Sequence, residues 1–384
     1  MARPQAITAL LTAVMGVSML QLFLVGALGP RLVEEAGISR SALGLTTTAG
    51  FGVAALLSLS AGQWVDRLGP RRCLVVLLVV AAAALALIGS ASGTPMLLAA
   101  VALGGLPQAL ANPATNKVIL AVVEPVRRGA ITGWKQSGVQ LGAFAAGLPL
   151  ASLAIWTGWR GAVWTAAAIA LVIAAWAIRA LPPDRPATPG TARNADLPRT
   201  AVGRLALFSF LLGSGIASIN TYLALYGTQR LSLSPVVAAW LVAILGITGV
   251  AGRVGWSRKA GRLGQPDALL GLLAAGACGA ALLIAAAAWW PALVWAGTAA
   301  VGAFAVAGNA VTMVAVIKRA DPRTAGRDSA LVSAGFFAGF AVGPPLVALL
   351  IEVADYGWGW ALVATEFAAA ALLAAARNRA GTRA

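Results

Sequence analysis

In 384 residues the chain carries 28 Lys and Arg against 12 Asp and Glu, no His and two Cys, yet 60% of its residues are hydrophobic. A soluble protein this apolar would aggregate, and a nucleic-acid binder would carry such charge on a polar surface, so no nucleic-acid partner is expected. Without His, and with only Cys73 and Cys278, the chain offers no disulfide framework, no metal site and no ligand set for a haem, iron–sulfur or zinc cofactor.

Apolar runs follow one another at about 6–28, 42–62, 73–91, 96–121, 129–153, 160–181, 203–225, 235–255, 267–288, 292–317, 327–351 and 358–377. A spanning helix needs about 20 apolar residues, so twelve of them with short loops use about 300 residues and leave no room for a soluble catalytic domain. The expected fold is an all-α polytopic membrane protein of twelve transmembrane helices. The first run is too long for a signal-peptide core and reads as a retained span. Of the cations, only Arg31, Arg40, Arg160 and Arg230 fall in the odd-numbered gaps; the rest lie at the termini, in the alternate gaps or near the helix ends facing them. This positive-inside bias puts both termini on the cytoplasmic side of a bacterial inner membrane, and it adds attraction to anionic lipid headgroups. Trp156, Trp159, Trp164, Trp240, Trp289, Trp290, Trp295, Trp358 and Trp360 gather toward the opposite face, where amphipathic indoles anchor a protein in the interface.

The Pro-rich polar stretch around 182–202 reads as a cytoplasmic linker between an N-terminal six-helix bundle, 1–181, and a C-terminal one, 203–384. A shift of 197 residues carries Asn112 onto Asn309, Gly129 onto Gly326, and Gly138 and Gly142 onto Gly335 and Gly339. A parallel repeat of two six-span bundles is a transporter architecture with the substrate path between the halves, and one chain then forms the pathway as a monomer.

Between spans 2 and 3 stands Gly62-Gln-Trp-Val-Asp66-Arg67-Leu-Gly69-Pro70-Arg71-Arg72. Here the chain resembles the major facilitator superfamily, whose loop signature has a glycine, an aspartate and arginine four and five residues on, a second glycine and further basic residues. The resemblance covers the span count, the linker, the repeat and the motif. It implies a secondary transporter working by alternating access, and a bracing role at the inside gate for Asp66 against span 11, with Gly62, Arg67, Gly69 and Arg71, and with Arg127 and Arg128 in the next inside loop. The second copy, Gly255 to Gly264, has Gly261 where the aspartate would be, which predicts a weaker latch. Asn112-Pro-Ala-Thr-Asn-Lys117 with Lys135-Gln-Ser-Gly138 also looks like the cyanate and nitroimidazole permease branch.

Glycines at 138, 142 and 147, and again at 335, 339 and 343, put small residues on one helix face for close packing. Mid-span polar residues concentrate on the spans that line the central cavity in this family. Gln21, Asn112, Asn116, Gln136, Gln140, Asn220 and Asn309 are the candidate hydrogen-bonding liners. Lys117 and Lys135 are read as the cations within the membrane, and no mid-span carboxylate lies on those spans. A site of ammonium and amides without an acid favours a small organic or inorganic anion. Glu366 in peripheral span 12 reads as structural, and a coupling proton has no evident relay. The alternative function is efflux antiport of neutral or amphipathic compounds, favoured by Gly343-Pro344. No nucleophile–base pair or acid pair supports an enzyme.

Overall fold

The computed structural model describes residues 4–28, 31–32, 35, 37–38, 40–184, 199–319 and 325–381. Among these, every regular element is a helix. A bilayer core holds no water to satisfy backbone N–H and C=O groups, and a helix satisfies them within one segment.

The elements in order are α1 (Pro4–Ala27), α2 (Arg40–Leu68) and α3 (Pro70–Gly89), then α4 in two pieces, Thr94–Leu103 and Gly105–Val122. Helix α5 begins as Pro125–Ala145 and continues through a π-helical turn, Ala146–Leu150. Helical bonding runs on through Ala151–Ala180, but Gly158 (φ 70°, ψ 165°) divides that stretch, so α5 ends before it and α6 follows it. Then come α7 (Arg199–Gln229), α8 (Pro235–Arg262) and α9 (Ala268–Ala286). Helix α10 joins Leu293–Ala300, a π-helical stretch Val301–Val306 and Ala307–Arg319; α11 is Ala325–Val353 and α12 is Tyr356–Gly381. Eleven stretches are long and apolar enough to cross a membrane, one of them the 56 residues Pro125–Ala180. Unbroken, that stretch would be about 84 Å long against a hydrocarbon core of about 30 Å. Its division at Gly158 yields the twelfth span.

Two sequence expectations need correction. The motif from Gly62 to Leu68 is the last part of α2 rather than a loop, and the chain turns only at Gly69 (φ 92°). A helix continues past its apolar run where its polar end is hydrogen-bonded, and glycine takes the left-handed conformation that stops it. Of the tryptophans assigned to the interface, Trp156 and Trp289 are indeed 86% exposed, but Trp159 and Trp360 are buried. Trp360 meets Tyr226 edge-on at 5.3 Å, and the Arg160 guanidinium lies 4.4 Å from the Trp159 ring centre. Much of the 182–202 linker, residues 185–198, lies outside the described residues.

The helices form two compact units. The first holds α1–α4, α5 from Trp134, α6 and the start of α11 up to Ala334; the second holds α5 from Val126 to Gly133, α7–α10, α11 from Gly335 and α12. Inside the first unit α1 and α5 touch backbone to backbone: a Cβ on Gly142 would stand 2.7 Å from the Gly16 carbonyl oxygen, and one on Gly138 would strike the Thr12 carbonyl. Inside the second unit α7 and α11 repeat this seam, with Gly335 against the Ala206 carbonyl and Gly339 against that of Phe210.

Candidate functional site

Pro107 has no N–H to give the Leu103 carbonyl, and α4 breaks there, at Gly104. Gln21 of α1 reaches into the break: its Nε2 donates to the Gly104 carbonyl at 2.8 Å and to the Ser18 carbonyl at 3.2 Å. Beyond the break, the piece Gly105–Val122 carries Asn112, Thr115 and Asn116, all buried.

Lys135, on α5, is fully buried. Its ammonium donates to Asn112 Oδ1 (3.1 Å), Thr115 Oγ1 (3.0 Å) and Asn116 Oδ1 (2.6 Å). Three donors thus meet three neutral acceptors, and among the described residues no carboxylate lies within ion-pairing distance of Lys135. Gln136 Nε2 donates to the same Asn112 Oδ1 at 3.0 Å. Asn116 Nδ2 donates to Ser329 Oγ at 2.9 Å, at the start of α11, and the Thr115 hydroxyl donates to the Ala111 carbonyl at 2.5 Å, leaving its lone pair for Lys135. Lys135, Gln136, Asn112 and Asn116 therefore form one cluster within the first unit.

The remaining candidate liners stand apart. Gln140 is half-buried one turn further along α5, and Gln21 lies by Gly104. Asn309, on α10 in the second unit, is buried, with its Oδ1 lacking a hydrogen-bond partner among the described residues; Asn220 is exposed on α7.

The residues assigned to the gate fall into two groups. Asp66 accepts from the backbone N–H of Gly326 (Oδ1, 3.3 Å) and Arg327 (Oδ2, 3.2 Å), at the first turn of α11. A carboxylate there meets unsatisfied amides and the positive end of the helix dipole. Gly62 lies so close to Arg327 and the Gly326 carbonyl that no side chain fits. Lys117 Nζ pairs with Asp66 Oδ1 at 2.7 Å, so it belongs to this cap and not to the Lys135 cluster. Asp184 makes a second cap: it accepts from the N–H of Arg71 (2.9 Å) and Arg72 (2.8 Å) at the start of α3. A Cβ at Gly69 would stand 2.5 Å from the Asp184 Cβ. Arg71 Nη2 donates to the Ile178 carbonyl at 2.5 Å. Arg67 and Arg127 are exposed and Arg128 is half-buried. In the second unit the start of α5 meets the end of α8 glycine on glycine, a Cβ on Gly129 lying 2.6 Å from the Gly261 Cα.

Sequence reasoning missed four residues. Ser329 and Asp184 act from places a span count treats as ends and linker. Gln108 is fully buried one turn before Asn112, and its i, i+4 spacing with Asn112 and Asn116 was the available signal. Arg253, near the end of α8, is a further buried cation; its Nε donates to the Val306 carbonyl at 3.2 Å.

Solved structures share this fold. The human organic anion transporter MFSD10 (TETRAN) superposes with a TM-score of 0.82 at 17% identity, over 97% of this chain and 100% of that one. The proton:xylose symporter XylE gives 0.79 at 15%, over 96% and 94%. The E. coli fucose:proton symporter FucP (N162A) gives 0.74 at 16%, over 96% and 98%. No curated protein matches in sequence. The Major Facilitator Superfamily profile matches residues 10–299, which with the twelve spans and the shared fold makes this chain a member of that superfamily and a secondary transporter.

Proposed function

We propose that this transporter carries a small anion, with Lys135 as its countercharge and Asn112, Asn116 and Gln136 as the surrounding hydrogen-bonding groups. One observation carries the reading: a fully buried ammonium that, among the described residues, is held by neutral oxygens alone. Removing an ion from water costs several kcal/mol when no opposite charge repays it. A substrate anion supplies that charge, whereas a cationic substrate would add to the deficit. Asn112 is the acceptor that yields, because its Oδ1 is shared by two donors. When an anion takes its place on Lys135, Gln136 still satisfies Asn112. The transport of organic anions by MFSD10, a similar structure, agrees with this substrate class.

Gln21, Gln140, Asn220 and Asn309 serve as further liners, Asn309 through its open Oδ1. Asp66 is the latch: its bonds to the α11 amides break when the Arg-rich face opens, and Gly62, Gly69, Arg67, Arg71, Arg127 and Arg128 shape that face. The Arg-rich face is cytoplasmic, in a bacterial inner membrane, and the six-span halves of a single chain suffice for transport.

The test is thermal stabilisation and proteoliposome uptake with small anions, neutral solutes and cationic drugs, since a ligand that binds only the folded protein raises its melting temperature. Protection by carboxylates or cyanate-like anions that disappears in Lys135→Ala supports the reading. If Lys135→Ala and Asn112→Ala both leave anion uptake as it was, the assignment fails. Protection by amphipathic drugs alone would make the protein an efflux antiporter.

A further inference from the structure

One turn before Asn112 on the same face of α4, Gln108 is fully buried, and neither its Nε2 nor its Oε1 has a hydrogen-bond partner among the described residues. Gln21, also fully buried, spends its Nε2 on the Gly104 and Ser18 carbonyls and leaves its Oε1 without a partner. Gln108 stands one turn after Gly104, and Gln21 reaches the Gly104 carbonyl. Helical side chains lean toward the N-terminus, so Gln108 leans over the turn of Gly104, where no side chain stands. The Gln21 amide occupies that turn: a Cβ on Gly104 would lie 2.6 Å from its Nε2. Native proteins rarely leave buried amide groups unpaired, because each forfeits the hydrogen bond water gave it. Here three such atoms belong to two residues that flank the break in α4.

We propose that Gln108 and Gln21 form a second subsite, which holds an uncharged hydrogen-bonding group of the substrate about one helical turn, ~5 Å, from the carboxylate at Lys135. Resting on the anion reading, this narrows the substrate to a monocarboxylate with a hydroxyl or carboxamide near its other end. Gln108 Nε2 donates to that group, and an amide oxygen of Gln108 or Gln21 accepts from it. The group is neutral because this part of the site lacks charge: α1 as described carries no charged residue, the described α4 carries only Lys117, already paired with Asp66, and Val53 and Ala54 of α2 close the side by Gly105. A second carboxylate would meet no cation there.

The experiment compares butyrate, 4-hydroxybutyrate and succinamate as competitors of uptake and as thermal stabilisers of the full-length protein. In the wild type the two substituted acids compete about tenfold better than butyrate, or more, since each neutral hydrogen bond contributes severalfold and two are available. In Gln108→Leu the ratio of 4-hydroxybutyrate to butyrate falls severalfold, since only the Gln21 oxygen remains to bond the hydroxyl. Without ligand, Gln108→Leu also melts at the same temperature or higher, because replacing an unpaired buried amide by an apolar group of similar size removes a desolvation cost; a structural glutamine would lower it. Gln108→Met repeats both readings if the Leu variant fails to fold. If butyrate and the substituted acids protect the wild type equally, and through Lys135, the anion reading stands and the second subsite does not. If none of the three protects, the anion reading itself fails and this inference falls with it. A ratio unchanged in both Gln108 variants also overturns it.

Discussion

The pairs α4–α5 and α10–α11 are copies 197 residues apart, and they keep the same shape with different chemistry. Asn112, Thr115, Asn116, Lys135 and Gln136 become Asn309, Thr312, Met313, Val332 and Ser333. The cation and two of the three side-chain amides are gone, and the amide oxygens of Asn112 and Asn309 differ accordingly: one takes two donors, the other takes none among the described residues. The backbone device persists. Where α4 breaks at Gly104, α10 has its π-helical stretch at Val301, 197 residues on. The repeat thus preserves what lets helices bend and touch, while the polar groups proposed to recognise a solute are concentrated in one copy.

The largest effect expected from breaking this asymmetry is at Lys135. Lys135→Ala should cost anion uptake roughly 30-fold or more, since removing one partner of a buried, hydrogen-bonded charge pair costs about 2–5 kcal/mol. Uptake at fixed protein content measures it. A loss of melting temperature in anion-free detergent without an uptake defect would make Lys135 a structural tie between α4 and α5.

The seams come next, and there the two copies should respond alike. Gly138→Leu and Gly335→Leu each drive a side chain into a backbone carbonyl of the neighbouring helix, Thr12 in one and Ala206 in the other. Overpacking of this kind costs about 1–3 kcal/mol, so both variants should melt lower by similar amounts. A seam that tolerated leucine in only one copy would show that the repeat is not mechanically equivalent.

The Asp66 cap is smaller. Asp66→Ala removes the acceptor for two α11 amides and leaves Lys117 unpaired. Loss of a helix cap costs about 1 kcal/mol, and the melting temperature should fall modestly. Gly261→Asp, which restores a carboxylate at the equivalent motif, tests whether the degenerate copy can be latched. With Gly129 packed on the Gly261 Cα, it should instead pry α5 from α8 and destabilise.

How much of this could be read from sequence follows from what each residue's signal depended on. The twelve spans, the repeat and Asp66 were legible because hydropathy, spacing and a local motif carry them. Lys135 and Asn112 were legible as rare polar residues in apolar runs. That Lys117 pairs with Asp66 was not, since both sit at helix ends where solvation and pairing look the same in sequence. Asp184 was hidden in a Pro-rich stretch that reads as linker, although its carboxylate caps α3. Arg253 lay at the edge of a run and was counted with the adjacent basic cluster, and its burial depends on which face of α8 meets the Val306 turn. Trp159 and Trp360 have the composition of interfacial anchors, and only packing against Arg160 and Tyr226 distinguishes them.

The smallest effects are expected in the copy that lost its cation. Asn220 is exposed, so as a liner its amide keeps its bonds to water with or without the substrate, and Asn220→Ala should leave uptake within about twofold, as exposed substitutions usually change free energy by no more than about 0.5 kcal/mol. Asn309 is the sharper case. Its buried Oδ1 is an acceptor without a donor among the described residues, so it gains a bond only if the substrate brings one. A neutral hydrogen bond contributes about 1 kcal/mol, which sets the expected loss for Asn309→Ala at about fivefold in apparent affinity, against the larger loss at Asn112, where the charge of Lys135 is involved. Competition assays on the two variants side by side measure the ratio. Equal losses would mean that both copies recognise the substrate with comparable strength and that the retained asparagine, not the lysine, is what the repeat conserves for binding; no loss at Asn309 would confine recognition to α4 and α5.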